Sequence, residues 1–235
     1  MIGVFAGDIS ELSNLINNIK IINSTTWGEA TIKTGLINCK RITFCGCGFG
    51  KANVSAALGY ILARCPLSSV ICTGNCAQTD SANACFNSIA IATNSTQFDV
   101  DFSAIGYPSP LIPGLPIAKF QSNSDLIRLA QISSHLRNFN YSDGTIASGD
   151  TFVANSTLAK SIQENFNSSF IDNEAGPLSE ICFINKIPFV CVKGVSNFAN
   201  DTASVDYNNN LTQSNENANK VVNTMLTLMT KSKSN

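Results

Sequence analysis

Apolar positions fall along this chain in two alternating rhythms. Short apolar runs bounded by glycine, asparagine or serine read as strands: Ile2–Ala6, Ser69–Thr73, Ser88–Thr93, Thr145–Ser148 and, clearest of all, Pro188–Val195. Thr31–Ile37 and Arg41–Cys47 read as two strands split by Asn38-Cys39, a hairpin-like pair. Between these runs the apolar residues recur three and four apart. Ser10 is expected to cap a helix reaching Lys20, with Leu12, Leu15, Ile16 and Ile19 on one face. Further helices are expected over Ala52–Cys65, Asp125–Leu136, Glu174–Ile184 and Glu216–Met229.

Parallel strands, crossover helices and glycine-rich turns imply a three-layer α/β fold. The proline-rich stretch Tyr107–Pro116 reads as a loop and not a linker, because strands and helices continue after it. There is no internal repeat and no domain boundary, so residues 1–235 are expected to form a single domain, a size that allows a well-buried core.

Composition narrows the function classes. Fifteen Lys and Arg balance sixteen Asp and Glu, and no basic run appears, so a nucleic-acid partner has little electrostatic support. The opening residues lack the length and basic flank of a signal peptide. No apolar run reaches the roughly 18 residues that span a bilayer, so no membrane partner is expected. Nine cysteines are an odd and high count. Cys45, Cys47, Cys72, Cys182 and Cys191 lie in apolar runs, which buried free thiols in a reducing cytoplasm explain. Neither Cys45-Gly-Cys47 nor Cys72…Cys76 has zinc-ligand spacing, and no metal or cofactor is expected. His135, the one histidine, falls in an expected helix and reads as a surface residue.

Several motifs sit where strands give way to turns. Gly46-Cys-Gly-Phe-Gly-Lys51 follows a strand and opens a helix, a turn that brings backbone N–H groups to a ligand. It has neither the Walker spacing nor the dinucleotide fingerprint. Thr73-Gly-Asn75 and Ser148-Gly-Asp150 also end strands, where ligands of α/β folds sit. A plain turn accounts for each of these as readily as a site does. Phe152 is placed to stack on a planar base or to fill a core. Glu11 and Glu174 open helices, where the helix N-terminus stabilises a carboxylate with no further role; Glu174 would equally bind two sugar hydroxyls.

Taken together and in order, these pieces resemble the methylthioadenosine/S-adenosylhomocysteine nucleosidases of the nucleoside phosphorylase/nucleosidase superfamily. Ile2-Gly-Val-Phe-Ala-Gly…Glu11 resembles the family's first strand and catalytic glutamate. Cys47-Gly-Phe-Gly-Lys-Ala-Asn resembles its Gly-Ile-Gly-Lys turn, and Val70-Ile-Cys-Thr-Gly its Ile-Asn-Thr-Gly strand. Asp99-Val-Asp-Phe-Ser-Ala-Ile-Gly-Tyr107 resembles its 5′-pocket segment, and Ser148-Gly-Asp-Thr-Phe-Val153 its base-binding Ser-Gly-Asp-x-Phe-Ile. The resemblance implies an αβα sandwich around a mixed sheet. It also implies hydrolysis of the N-glycosidic bond of a 5′-thio-substituted adenosine. By the same resemblance Glu11 activates water and Glu174 holds the ribose. Phe152 stacks on the base and Val153 offers it backbone hydrogen bonds. Phe49 and Tyr207 line the 5′ side, with Phe102 and Ile105 from the second subunit of a homodimer.

Departures from the family pattern bear on the chemistry. Its acidic aspartate is Asn197 here, which donates a hydrogen bond but transfers no proton. Its arginine is Lys193, which lacks the planar fork. Its serine is Asn75, its Glu-Met-Glu is Asp172-Asn173-Glu174, and Asp8 stands where the family has an apolar residue. Asparagine in the acid's place also suits phosphorylase-like recognition of 6-oxopurines. A hydrolase of inosine- or futalosine-like nucleosides is therefore an alternative expectation, and a nucleoside-binding protein without catalysis is another.

Overall fold

The computed structural model of the chain describes residues 1–17, 19–79 and 85–231. β1 (Ile2–Ala6) is buried along its whole length. Its side chains alternate between two cores, Phe5 on one face and Ile2, Val4 and Ala6 on the other. The continuous helix expected from Ser10 to Lys20 does not form. Asp8, not Ser10, is the N-cap, and the chain makes a 3-10 turn over Ile9–Leu12 and then a four-residue helix, α1 (Ser13–Ile16). The reason is local: Asp8 and Glu11 are spaced as a reciprocal capping box. β2 (Lys20–Trp27) takes over at the residue where the helix was expected to end, and Asn18 lies outside the described residues.

β3 (Ala30–Ile37) and β4 (Lys40–Gly46) pair antiparallel, as expected. Asn38 and Cys39 both take positive φ, the geometry a two-residue hairpin turn requires. Next come α2 (Lys51–Leu62), β5 (Ser69–Cys72), β6 (Asn75–Gln78), β7 (Ile89–Gln97) and β8 (Phe120–Gln121). The remaining elements are α3 (Ser124–Leu136), β9 (Tyr141–Ser148), α4 (Ser156–Phe166), β10 (Phe170–Asp172), α5 (Ala175–Ile184), β11 (Phe189–Asn197) and α6 (Ala203–Thr230).

Among the described residues the strands form one mixed sheet in the order β2-β3-β4-β1-β5-β11-β6-β10-β9-β7-β8, with β11 also pairing to β7. The run β4-β1-β5-β11 is parallel. One face carries α2 and α5, through Val54, Leu58, Ile61, Leu178 and Cys182. The other carries α1, α3 and α6, through Leu15, Leu126, Val222 and Leu226. The expected three layers are present. β11 is buried at all nine positions, as its near-continuous apolar sequence required.

α6 begins at Ala203, well before the expected Glu216. Its first half is rich in asparagine, a poor helix former, and packing over β11 offsets that weak propensity. α4 was not expected, although Ala159, Ile162 and Phe166 make a buried stripe, because polar residues separate them.

Gly46 ends β4 where the chain leaving β1 crosses it. A Cβ there would stand 2.1 Å from the Ile9 amide nitrogen, backbone with nowhere to go. Gly46→Ala is therefore expected to lower stability by about 1–3 kcal/mol, read as a lower urea midpoint at unchanged m-value. An unchanged midpoint would mean the crossing relaxes freely.

Candidate active site

Residues at or just beyond the carboxyl-terminal ends of β1, β5, β9, β10 and β11 meet around one cavity, the usual kind of position for ligand sites in α/β folds. A cavity of about 400 Å³ lies there, within the range of roughly 300–1,000 Å³ typical of small-molecule pockets. Glu11, Phe49, Asn75, Phe152, Val153, Asn173, Glu174, Asn197 and Tyr207 all line it.

Glu11 is buried and tightly held. Its Oε2 accepts from the Asp8 amide at 3.1 Å, closing the capping box, and its Oε1 accepts from Asn75 Nδ2 at 2.8 Å. The Asn219 side chain donates to its carbonyl at 2.6 Å. Burial raises the Glu11 pKa, and the Lys193 charge and the hydrogen bonds from Asp8 and Asn75 oppose that rise. Asp8 is itself exposed and does not line the cavity; its side chain accepts from the Ser10 amide at 2.8 Å.

Lys193 projects from the middle of buried β11 and does not line the cavity. Its Nζ lies 2.8 Å from Asp172 Oδ2 and 2.7 Å from Glu174 Oε2, so it stands behind Glu174. Burial works against the ammonium, but the surrounding acids, Asp172 foremost, hold its pKa well above the ordinary lysine value. Asp172 is anchored in turn: Ser148 Oγ donates to Oδ1 and the Ala175 amide donates to Oδ2 at 3.0 Å. Burial pushes Glu174 to about 7, against the pull of Lys193 and with the push of Asp172 and Glu11. No such role for Asp172 was expected from the sequence. The signal was present: a lysine inside an otherwise apolar strand needs a buried counter-charge.

Asn197 ends β11, 3% exposed. The Ala199 amide donates to its Oδ1 at 3.0 Å, and its Nδ2 donates to Ser196 Oγ at 3.1 Å. Because a backbone N–H only donates, this contact decides which way the carboxamide faces and leaves the second Nδ2 hydrogen for a ligand. Asn173 donates to the Gly149 carbonyl, tying the start of α5 to the turn after β9. At the rim, Phe49 and Phe152 are 61% and 51% exposed, and Phe152 meets Tyr207 edge-on with centroids 5.6 Å apart. Burial, with Glu11 and Glu174 adding to it, raises the Tyr207 hydroxyl pKa. Phe102 precedes a short 3-10 turn that Ile105 ends; both are exposed and neither lines this cavity.

The five thiols expected to be buried are buried and free. His135 lies exposed on α3. No helix among the described residues is long and apolar enough to cross a membrane.

The family model described as "Phosphorylase superfamily" matches residues 1–227. The chain belongs to the phosphorylase superfamily. A curated relative, the 5′-methylthioadenosine/S-adenosylhomocysteine nucleosidase of Staphylococcus carnosus (strain TM300), is 26% identical over 228 residues, covering 96% of this chain and 99% of that one. The solved nucleosidase of Neisseria meningitidis, in complex with methylthio-immucillin-A, superposes with a TM-score of 0.89 at 25% identity, covering 97% of this chain and 99% of that one. The native futalosine hydrolase of Helicobacter pylori strain 26695 superposes with a TM-score of 0.90 at 20% identity, over 96% of each chain, a likeness of fold.

Within this superfamily member the raised Glu174 pKa has a thermodynamic consequence. Between its ordinary value of 4.5 and about 7 the folded chain keeps a proton that the unfolded chain releases. Stability contributed by that proton is full below 4.5 and is lost as pH rises through about 7. Glu174→Gln is expected to flatten this fall without abolishing it, because Glu11 is raised as well. Urea unfolding at a series of pH values reads the slope; a slope equal to wild type would mean Glu174 stays ionised throughout.

Proposed function

We propose that the protein is a purine nucleosidase that hydrolyses the N-glycosidic bond of 5′-methylthioadenosine and S-adenosylhomocysteine, releasing adenine. The observation that carries this reading is Glu11, a buried carboxylate in the cavity wall oriented by two hydrogen-bond donors. That is the arrangement a general base for water requires. Curated relatives named for this activity match nearly the whole chain.

Glu11 removes a proton from water, whose oxygen attacks the anomeric carbon. The bond from that carbon to the base breaks, and its electron pair leaves with the purine. Glu174, backed by Lys193, accepts from the ribose hydroxyls. Its charge and that of Glu11 also favour the positive charge that develops on the sugar. Phe152 stacks on the base and Val153 meets its edge through the backbone. Asn173 packs beside the nucleoside, and Phe49 and Tyr207 enclose the 5′ substituent. Asn197 donates a hydrogen bond to N7 of the leaving base. The proton that finally neutralises the base comes from solvent, because a carboxamide has none to transfer. Phe102 and Ile105, 40% and 68% exposed, support a homodimer in which they complete the partner's 5′ pocket. Buried free thiols support a reducing, cytoplasmic setting.

A second reading rests on the Asn197 carboxamide. Held by Ala199, it presents a donor, which suits the O6 and N7 acceptors of a 6-oxopurine at least as well as adenine.

Base release without phosphate, measured in parallel from methylthioadenosine, S-adenosylhomocysteine, inosine and futalosine, separates the readings. Adenine from the first two is expected, and hypoxanthine alone would move the protein to the second reading. Glu11→Gln is expected to lower turnover by about 10²–10⁴-fold. Asn197→Asp restores a proton donor and is expected to raise adenine release by about 10²-fold. No gain would count against Asn197 standing at the leaving group. No base from any of the four, with nucleoside still bound, would identify a binding protein.

A further inference from the structure

Ser214 lies on α6, fully buried and distant in sequence from every motif above. Its hydroxyl has one hydrogen and two acceptors in reach, Asn75 Oδ1 at 2.7 Å and the Leu211 carbonyl at 3.1 Å. The shorter contact assigns it to Asn75, whose Nδ2 in turn donates to Glu11 Oε1 at 2.8 Å. The three side chains come from α6, β6 and the turn after β1, and they meet because Gly194 lets α6 press onto β11. A Cβ on Gly194 would stand 2.1 Å from the Ser214 carbonyl oxygen. Gly194 is also the register partner of Asn75.

We propose that Ser214 is a positioning residue for the reaction: through the Asn75 carboxamide it keeps a hydrogen-bond donor against the Glu11 carboxylate. This rests on the reading of Glu11 as the base for water. A carboxamide is nearly symmetric in shape, so packing alone does not choose which end faces Glu11. With its oxygen toward Glu11 it would repel the carboxylate and favour the protonated acid, which is no base. A donor at Ser214 favours the opposite orientation, oxygen toward α6 and N–H toward Glu11. The other charged and titratable groups facing Glu11 are Lys193 on β11, Glu174 at the start of α5 and Tyr207 on α6. Removing the Ser214 hydroxyl leaves all three in place.

The test measures two things in Ser214→Ala and Ser214→Cys. One is kcat and KM for base release. The other is the titration of the Glu11 carboxyl, followed by 13C NMR of protein labelled at glutamate Cδ and assigned by the signal lost in Glu11→Gln. Ser214→Ala is expected to lower kcat about tenfold, with KM near wild type. It should also move the Glu11 titration to higher pH. Ser214→Cys, a weaker donor of similar shape, should do the same to a smaller extent and serves if the alanine variant does not fold. Adding Asn75→Ser to Ser214→Ala should bring the titration back, because a hydroxyl at position 75 turns toward Glu11 without a partner to orient it. A titration that stays put in both Ser214 variants overturns the proposal, even if kcat falls, because loosened packing alone would do that. If Glu11→Gln keeps its turnover, the base reading fails, and the NMR titration still decides whether Ser214 acts on Glu11.

Discussion

The ammonium of Lys193 is buried in the middle of the sheet with carboxylates at 2.7 and 2.8 Å, and the site is assembled around it. Such a charge is tolerated only where partners surround it; unpaired, it would cost several kcal/mol. Its two partners lie on the short stretch from the end of β10 to the start of α5. Asp172 is also bound by Ser148 at the end of β9 and by the first amide of α5. One lysine therefore ties the middle of β11 to the ends of β9 and β10 and to the start of α5 in one wall. That wall is what places Glu174 at the edge of the cavity.

The charge count within that wall does not balance. Glu11, Asp172 and Glu174 are buried near a single Lys193. Burial, with the excess of acid adding to it, raises Glu174 to about 7, so the cavity gains that negative charge only as pH rises through this value. In the proposed reaction that excess is useful, because the sugar becomes positive as the base departs and the field is already in place. Holding three carboxylates near one cation in a low-dielectric site costs stability, and this cost falls on the strand ends that line the cavity.

Amide side chains do much of the orienting in this molecule. Asn75 holds Glu11, Asn173 holds the turn after β9, Asn219 holds the Glu11 backbone, and Asn197 is held by Ala199. None of these titrates, so their donors and acceptors stay fixed while the acids beside them change charge. In the proposed reaction the Asn197 carboxamide would align the leaving base without neutralising it, so the proposal leans on the base for water and on the field of the cavity more than on acid assistance.

Much of the fold was legible in the chain because its core strands are short apolar runs with turn residues at their ends. Ile2–Ala6, Ser69–Thr73 and Pro188–Val195 read correctly, as did the Asn38-Cys39 hairpin, since burial on both faces and a positive-φ turn each leave a local mark. The motifs at strand ends, with the family resemblance they carry, also marked the side chains that line the cavity, from Glu11 to Tyr207. What the sequence left undecided depended on partners far away in the chain. The early start of α6 and the choice of Asp172 and Glu174 as partners of Lys193 come from contacts no local pattern encodes. Ser214 sits in a run of polar residues that looks like solvent-facing helix. Only the close approach of α6 to Gly194 brings the Asn75 acceptor to its hydroxyl, because a hydrogen bond requires its two atoms to meet and local sequence cannot say which distant atoms will.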